Sequence, residues 1–177
     1  LMPITATIVF VAALSMAGIP PLNGFLSKEM MLEEVAHTPY LTPWLLAALV
    51  TAASVTSVAY SFRLIVHGFM GPKRNDYPHT PHDPGFGMWA GPALLALMVV
   101  LVGLMPMTTA AWLVGSAAGA VTGQAVAVKI THWHGLTVAL GLSVVAVLGG
   151  LMVLRLHAPF QRMWDNFPKP DGKAIFD

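Results

Sequence analysis

Lys28 is the residue of this sequence best placed to do chemistry. It is the one basic group in the stretch Met16 to Glu34, MAGIPPLNGFLSKEMMLEE. An apolar run, Met2 to Ile19, leads into that stretch. Pro20 and Pro21 remove two backbone donors and disfavour helix for the residue before them. Gly24, after Asn23, supplies the freedom to turn the chain. A second helical run, Phe25 to Ala36, then carries Lys28 and Glu29. The pattern predicts a helix, a break and a half-helix. In a bilayer such a break survives only where protein or a water-lined cavity satisfies the freed backbone groups, and an ionisable residue there is a functional candidate. A lysine taken out of water loses stabilisation of its charge, the property a proton carrier needs. The free N–H groups opening the half-helix also oppose a cation beside them. A simpler arrangement uses the same residues: Met2 to Ile19 spans alone, and Phe25 to Ala36 lies on the outer surface.

The remaining ionisable groups have smaller claims. Glu29 reads as a carboxylate at the half-helix N-terminus, where negative charge is favoured, or as a partner modulating Lys28. Glu33 and Glu34 are expected solvated at the outer interface. Arg63 and His67 are four apart, on one helix face near the end of a span. Arg63 most simply snorkels to the headgroups; otherwise the two form an inner stretch of a proton path. His134 reads as a relay at the outer mouth, or as the polar end of a span anchored by Trp133. His132 and His134 are two apart and share no helix face, which argues against a metal pair. His79, His82 and Asp83 cluster in a proline-rich loop, whereas zinc needs about four convergent ligands. The sequence offers no metal site, cofactor motif, phosphate loop or nucleophile triad.

These groups must be positioned by membrane helices. The chain has 177 residues, of which 56% are hydrophobic and only 10% charged. Soluble domains carry about 25% charged residues. The expected fold is all-α: a polytopic integral membrane bundle with one discontinuous transmembrane helix, built as a single module. Cysteine is absent, which excludes disulfides and thiolate metal sites. A net charge of +1 without a basic cluster gives no reason to expect a nucleic acid partner. The chain opens at Leu1 almost directly into a membrane run and reads as an internal piece of a longer polypeptide.

Residues 2–36 form the broken helix. Met2 to Gly18 would rise about 25 Å and Phe25 to Ala36 about 18 Å. Together they exceed one crossing of roughly 30 Å, so the break is expected past the midplane, nearer the exit side. Residues 44–69 form a span opened by Trp44 and rich in small residues. Ala47, Ala48, Ala52, Ala53, Ser54 and Ser57 are expected to pack on another helix. The loop 70–87 is irregular. Residues 88–105 form an apolar span closed by Pro106. Residues 107–130, rich in Ala and Gly, read as an interfacial or short re-entrant segment. Residues 131–154 form the last span, and 155–177 an interfacial tail.

The segment GIPPLNGFLSKE, Gly18 to Glu29, resembles the broken-helix signature of the antiporter-like subunits shared by Mrp-type Na+/H+ antiporters and respiratory complex I. Trp133-His134-Gly135 opening a helix is similar to the large, A-type subunit of the Mrp antiporters, and fits the fifth antiporter-like subunit of complex I less well. SFRL from Ser61 and FMGPK from Phe69 resemble the following helix in both. The resemblance covers most of Met2 to Leu154. It implies that Lys28 is a proton-path residue on a discontinuous helix and that the partners are other membrane subunits, H+ and a monovalent cation, Na+ in the named family. It implies the prokaryotic plasma membrane as location and a transporter rather than an enzyme. Two alternatives stay open: a proton-pumping component of a complex I-type oxidoreductase, and a structural component that only scaffolds partners.

Basic residues orient the spans. Lys73, Arg74, Arg155, Arg162, Lys169 and Lys173 fall on one side, against Lys129 on the other. The asymmetry predicts a cytoplasmic 70–87 loop and tail. Impermeant thiol labelling of whole cells should therefore modify Thr122→Cys and spare Thr80→Cys; the reverse pattern would invert the topology.

Overall fold

The computed structural model describes residues 2–37, 43–71, 81–125, 128, 130 and 137–156. Among them the chain forms α1 (Pro3–Ala17), α2 (Asn23–His37), α3 (Pro43–Phe69), α4 (Phe86–Leu104), α5 (Pro106–Thr109), α6 (Ala111–Thr122) and α7 (Val138–Arg155), with no strand. Three stretches are long and apolar enough to cross a bilayer: Trp44–Phe69, Phe86–Leu104 and Val138–Arg155. The protein is thus all-α and multi-pass.

α1 begins with Pro3, whose missing N–H would have no helical partner there anyway. The next amides are satisfied from the segment preceding α4. The Asp83 carboxylate accepts from Ile4 N (3.2 Å), Thr5 N (3.0 Å) and Thr5 Oγ1 (2.9 Å). Loss of hydration pushes this carboxyl up, but the amides of Thr5 and Ile4 and the Thr5 hydroxyl outweigh that and hold it below its ordinary value. Asp83, read from sequence only as loop chemistry, is the N-terminal cap of a distant helix.

α1 ends at Gly18, in the left-handed region at φ +78°. Gly18 N donates to Ser15 O (2.9 Å) and Ile19 N to Leu14 O (3.1 Å), closing the last turn. This corrects the sequence reading, which gave the turn to Gly24. Gly24 lies inside α2 and matters for its lack of bulk. A Cβ there would collide with the Ser15 carbonyl, and its amide donates to Ser15 Oγ at 3.1 Å. The first turn of α2 therefore lies beside the last turn of α1. The Pro20–Pro21 peptide between them is cis.

Contacts along α1 fix its neighbours. α3 runs antiparallel to it, with Ser57 at Met16 and the Phe69 ring 6.2 Å from that of Phe10. α4 runs parallel, from Asp83 at Ile4 to Gly103 at Pro21. The break thus lies level with the C-terminal end of α4, a 19-residue helix about 28 Å long.

α3 is the central element, packed on α1, α2 and α7. Its buried positions are Ala47, Thr51, Ser54, Val58, Ser61 and Ile65. Their alternating steps of four and three mark a helix-pair seam. α7 packs against it with Gly149 at Val55 and Gly150 at Val58. Of the small-residue face expected from sequence, Ala47 and Ser54 are buried within this chain, whereas Ala48, Ala52 and Ala53 are exposed on it. The helical period turns those three away from the seam.

α6 has 12 residues and rises about 18 Å, short of a crossing. The segment beyond it returns to the bundle. Leu26 of α2 is buried against Ala111 and Ile130, with Ala110 and Val128 alongside. α7 begins at Val138, with Thr137 Oγ1 accepting from Leu140 N at 3.1 Å. The last span was expected to open at Thr131; residues 131–136 lie outside those described, as do His79, Lys129 and the tail 157–177.

A side chain at Gly103 would meet the Pro21 carbonyl and the Asn23 amide, whereas Gly91 faces open space. Gly103→Val should push α4 off the break, at about 1–3 kcal/mol. The thermal midpoint of the solubilised protein should fall for Gly103→Val and stay unchanged for Gly91→Val.

Candidate functional site

The break leaves the last carbonyls of α1 without helical donors. One of them organises the site. Lys28, on the second turn of α2, extends back across Gly18 and donates from Nζ to Met16 O at 2.7 Å. The same carbonyl accepts from Ser57 Oγ of α3 at 3.0 Å, and Lys28 Nζ also reaches Ser57 Oγ at 3.3 Å. Three elements therefore meet at one oxygen. A Cβ on Gly18 would stand 2.8 Å from Lys28 Cδ, so glycine is required here twice, for its φ and for the passage of the lysine stem.

This placement reverses the local field expected from sequence. The N-terminal amides of α2 were expected to oppose the cation. Instead the ammonium faces the C-terminal carbonyls of α1, the negative end of that helix.

Glu29 is buried, at 5% exposure. It is not the N-terminal carboxylate expected, because α2 begins at Asn23 and its first turn holds no acid. Glu33 is half-buried and Glu34 exposed, the latter as expected. Arg63 and His67 are exposed, and His67 Nδ1 lies 3.2 Å from Arg63 O, one turn back on the same helix. Arg63 is about 9 Å along α3 from Ser57, so the site does not include it. Pro20 and Pro21 lie in the break. His132, Trp133 and His134 are outside the described residues. Among the described residues no three His, Cys, Asp or Glu side chains converge as a metal site would require.

Sequence reasoning missed two partners. Ser57 was assigned only to helix packing, and Met16 enters through its backbone, which residue type does not reveal. The available signal was the double proline: a helix stopped inside an apolar region must expose carbonyls, and a nearby lysine and serine are donors.

Residues 1–58 match the family described as "NADH:quinone oxidoreductase/Mrp antiporter, TM". The chain is 37% identical over 153 residues, 85% of its length, to a Rhizobium meliloti protein named as the probable A/B subunit of a K(+)/H(+) antiporter. It is 35% identical over 164 residues to the A1 subunit of the Na(+)/H(+) antiporter of Staphylococcus haemolyticus, and 34% identical over 190 residues to that of Staphylococcus aureus. The chain spans 15%, 20% and 23% of these three relatives. Among solved structures it is similar to the Mrp complex from Dietzia sp. DQ12-45-1b, with a TM-score of 0.75 and 29% identity. That match covers 98% of this chain and 18% of the other.

Because Lys28 and Ser57 share the Met16 carbonyl, their contributions should be coupled by about 1 kcal/mol. Ser57→Ala should lower the thermal midpoint of the protein modestly in a wild-type background and by more once Lys28→Met is present, because the Met16 carbonyl then loses its last side-chain donor. Additive shifts would show that the shared hydrogen bond is not formed.

Proposed function

The chain belongs to the antiporter-like membrane subunits of the Mrp and complex I type, and from that premise we propose that it is the proton-handling part of the large subunit of a multisubunit cation/proton antiporter, with Lys28 as proton carrier. The observation that carries this reading is the position of Lys28 Nζ, at the carbonyl end of α1 where the helix is interrupted. Residues 2–37 then act as one discontinuous membrane element, with α1 and α2 as its halves. The Lys28 amine takes up a proton to become the ammonium held by Met16 O and Ser57 Oγ, and releases it when water reaches the break from the other side.

The exchanged cation in this reading is Na+, after the naming of the two staphylococcal relatives; the Rhizobium relative is named for K+. Other membrane subunits are the partners, and the prokaryotic plasma membrane is the location. Glu29 modulates the charge of Lys28 from inside the bundle. His134 serves the outer mouth, and Arg63 with His67 the inner end. The family description also covers complex I, but the matched relatives named as antiporter subunits favour the antiporter.

The test separates a carrier from a structural charge. In everted vesicles, with exchange normalised to assembled complex, Lys28→Ala should abolish pH-gradient-driven exchange. Lys28→Arg should fail nearly as completely, because a guanidinium keeps its proton at any accessible pH. Near-normal exchange by Lys28→Arg would leave Lys28 as a structural cation in a scaffold.

A further inference from the structure

Two hydroxyls in the bundle are fully shielded yet unpaired. Thr51 Oγ1 on α3 and Ser143 Oγ on α7 are fully shielded and find no hydrogen-bond partner among the described residues. Thr51 as a whole is only 8% exposed. Helical hydroxyls normally escape this cost by bonding the carbonyl one turn back. Thr7, Thr56, Ser61, Ser116 and Thr122 do so, at 2.6–2.9 Å. Thr51 and Ser143 forgo that bond.

Both occupy the α3–α7 seam. Gly150 against Val58 sets its register. Counting back from that contact, the buried positions of α3 are Ser54, Thr51 and Ala47, at intervals of four, three and four. On α7 the same intervals give Ala146, Ser143 and Ala139, of which Ala146 and Ala139 are buried. With α7 parallel to α3, as the shared side expected for the 70–87 loop and the tail requires, every step agrees and this register places Thr51 level with Ser143. Alanines above and below leave room between the helices at that level. A buried hydroxyl without a protein partner is the usual mark of a bound water, which needs two or more polar partners.

We propose that Thr51 and Ser143 hold a buried water in the α3–α7 seam, and that this water belongs to a hydrated branch of the path serving Lys28. Thr51 lies six residues before Ser57 on α3, about 9 Å toward its N-terminal end. Ser54, buried between them, carries a third hydroxyl on the same side of the helix. Along such a chain each oxygen that accepts a proton passes on another, so nothing is consumed. The role in the path rests on the reading of Lys28 as carrier; the water site rests on the two hydroxyls alone.

The experiment combines a structure of the assembled full-length complex, at a resolution that shows waters, with exchange assays on Thr51→Val, Ser143→Ala and the double variant. The expected structure has a water within about 2.6–3.2 Å of both oxygens. Each single variant should reduce exchange about fivefold at unchanged assembly, and the double variant little further, because both act through one water. Hydroxyls turned back to the Ala47 and Ala139 carbonyls, with no water between, would overturn the site. A water present with wild-type exchange in both single variants would overturn its place in the path. Failure of the Lys28 reading shows separately, as exchange retained by Lys28→Arg.

Discussion

An α-helix that ends leaves its last carbonyls with no helical donor, and the rest of this structure depends on how those of α1 are satisfied. In water the solvent would serve. Away from water each unpaired group costs several kcal/mol. Gly18 closes the last turn on the α1 backbone itself, through its own amide and that of Ile19. The Met16 carbonyl is left to side chains. A hydroxyl from α3 and an ammonium from α2 converge on it. The interruption thus creates the acceptor that holds Lys28, and Lys28 is part of what makes the interruption tolerable.

That dependence sets the geometry around the break. α2 must begin close enough to α1 for a lysine to reach back, and the bare Gly24 against Ser15 allows the approach. α4 must end at the break without filling it, which Gly103 permits. α3 must present a small hydroxyl at one level and an apolar or small seam at the others. It does so by dividing its surface: Ser57 faces α1 and α2, while Ala47, Thr51, Ser54 and Val58 stand in the seam.

The sequence made the helices legible because crossing a membrane imposes length and apolarity directly on composition. The double proline marked the end of α1 for the same kind of reason: it acts on its own backbone. What stayed hidden depends on elements meeting. The acceptor of Lys28 is a backbone oxygen of another helix, which no residue type announces. Gly24 and Gly18 both permit a turn, and only the packing of α2 on α1 decides which takes the left-handed conformation. Asp83 lies 78 residues from the amide of Thr5 that it caps, and nothing in its own loop points there. Ala48 and Ala52 looked equivalent to Ala47 because smallness alone does not say which face a partner will occupy.

The hydroxyls of α3 show why packing and chemistry are hard to separate in such a protein. Between membrane helices there is no hydrophobic drive toward association, so small and hydroxyl-bearing residues supply close contact and hydrogen bonds in its place. A serine at a seam position is therefore a packing device by default. What distinguishes a functional hydroxyl is the destination of its hydrogen bond. Ser61 returns its proton to its own helix and is spent on local structure. Ser57 gives its proton to a different helix and takes a bond from an ionisable side chain. One residue type, one turn apart on one helix, thus serves two purposes, and only Ser57 links the charge of Lys28 to the arrangement of the helices around it.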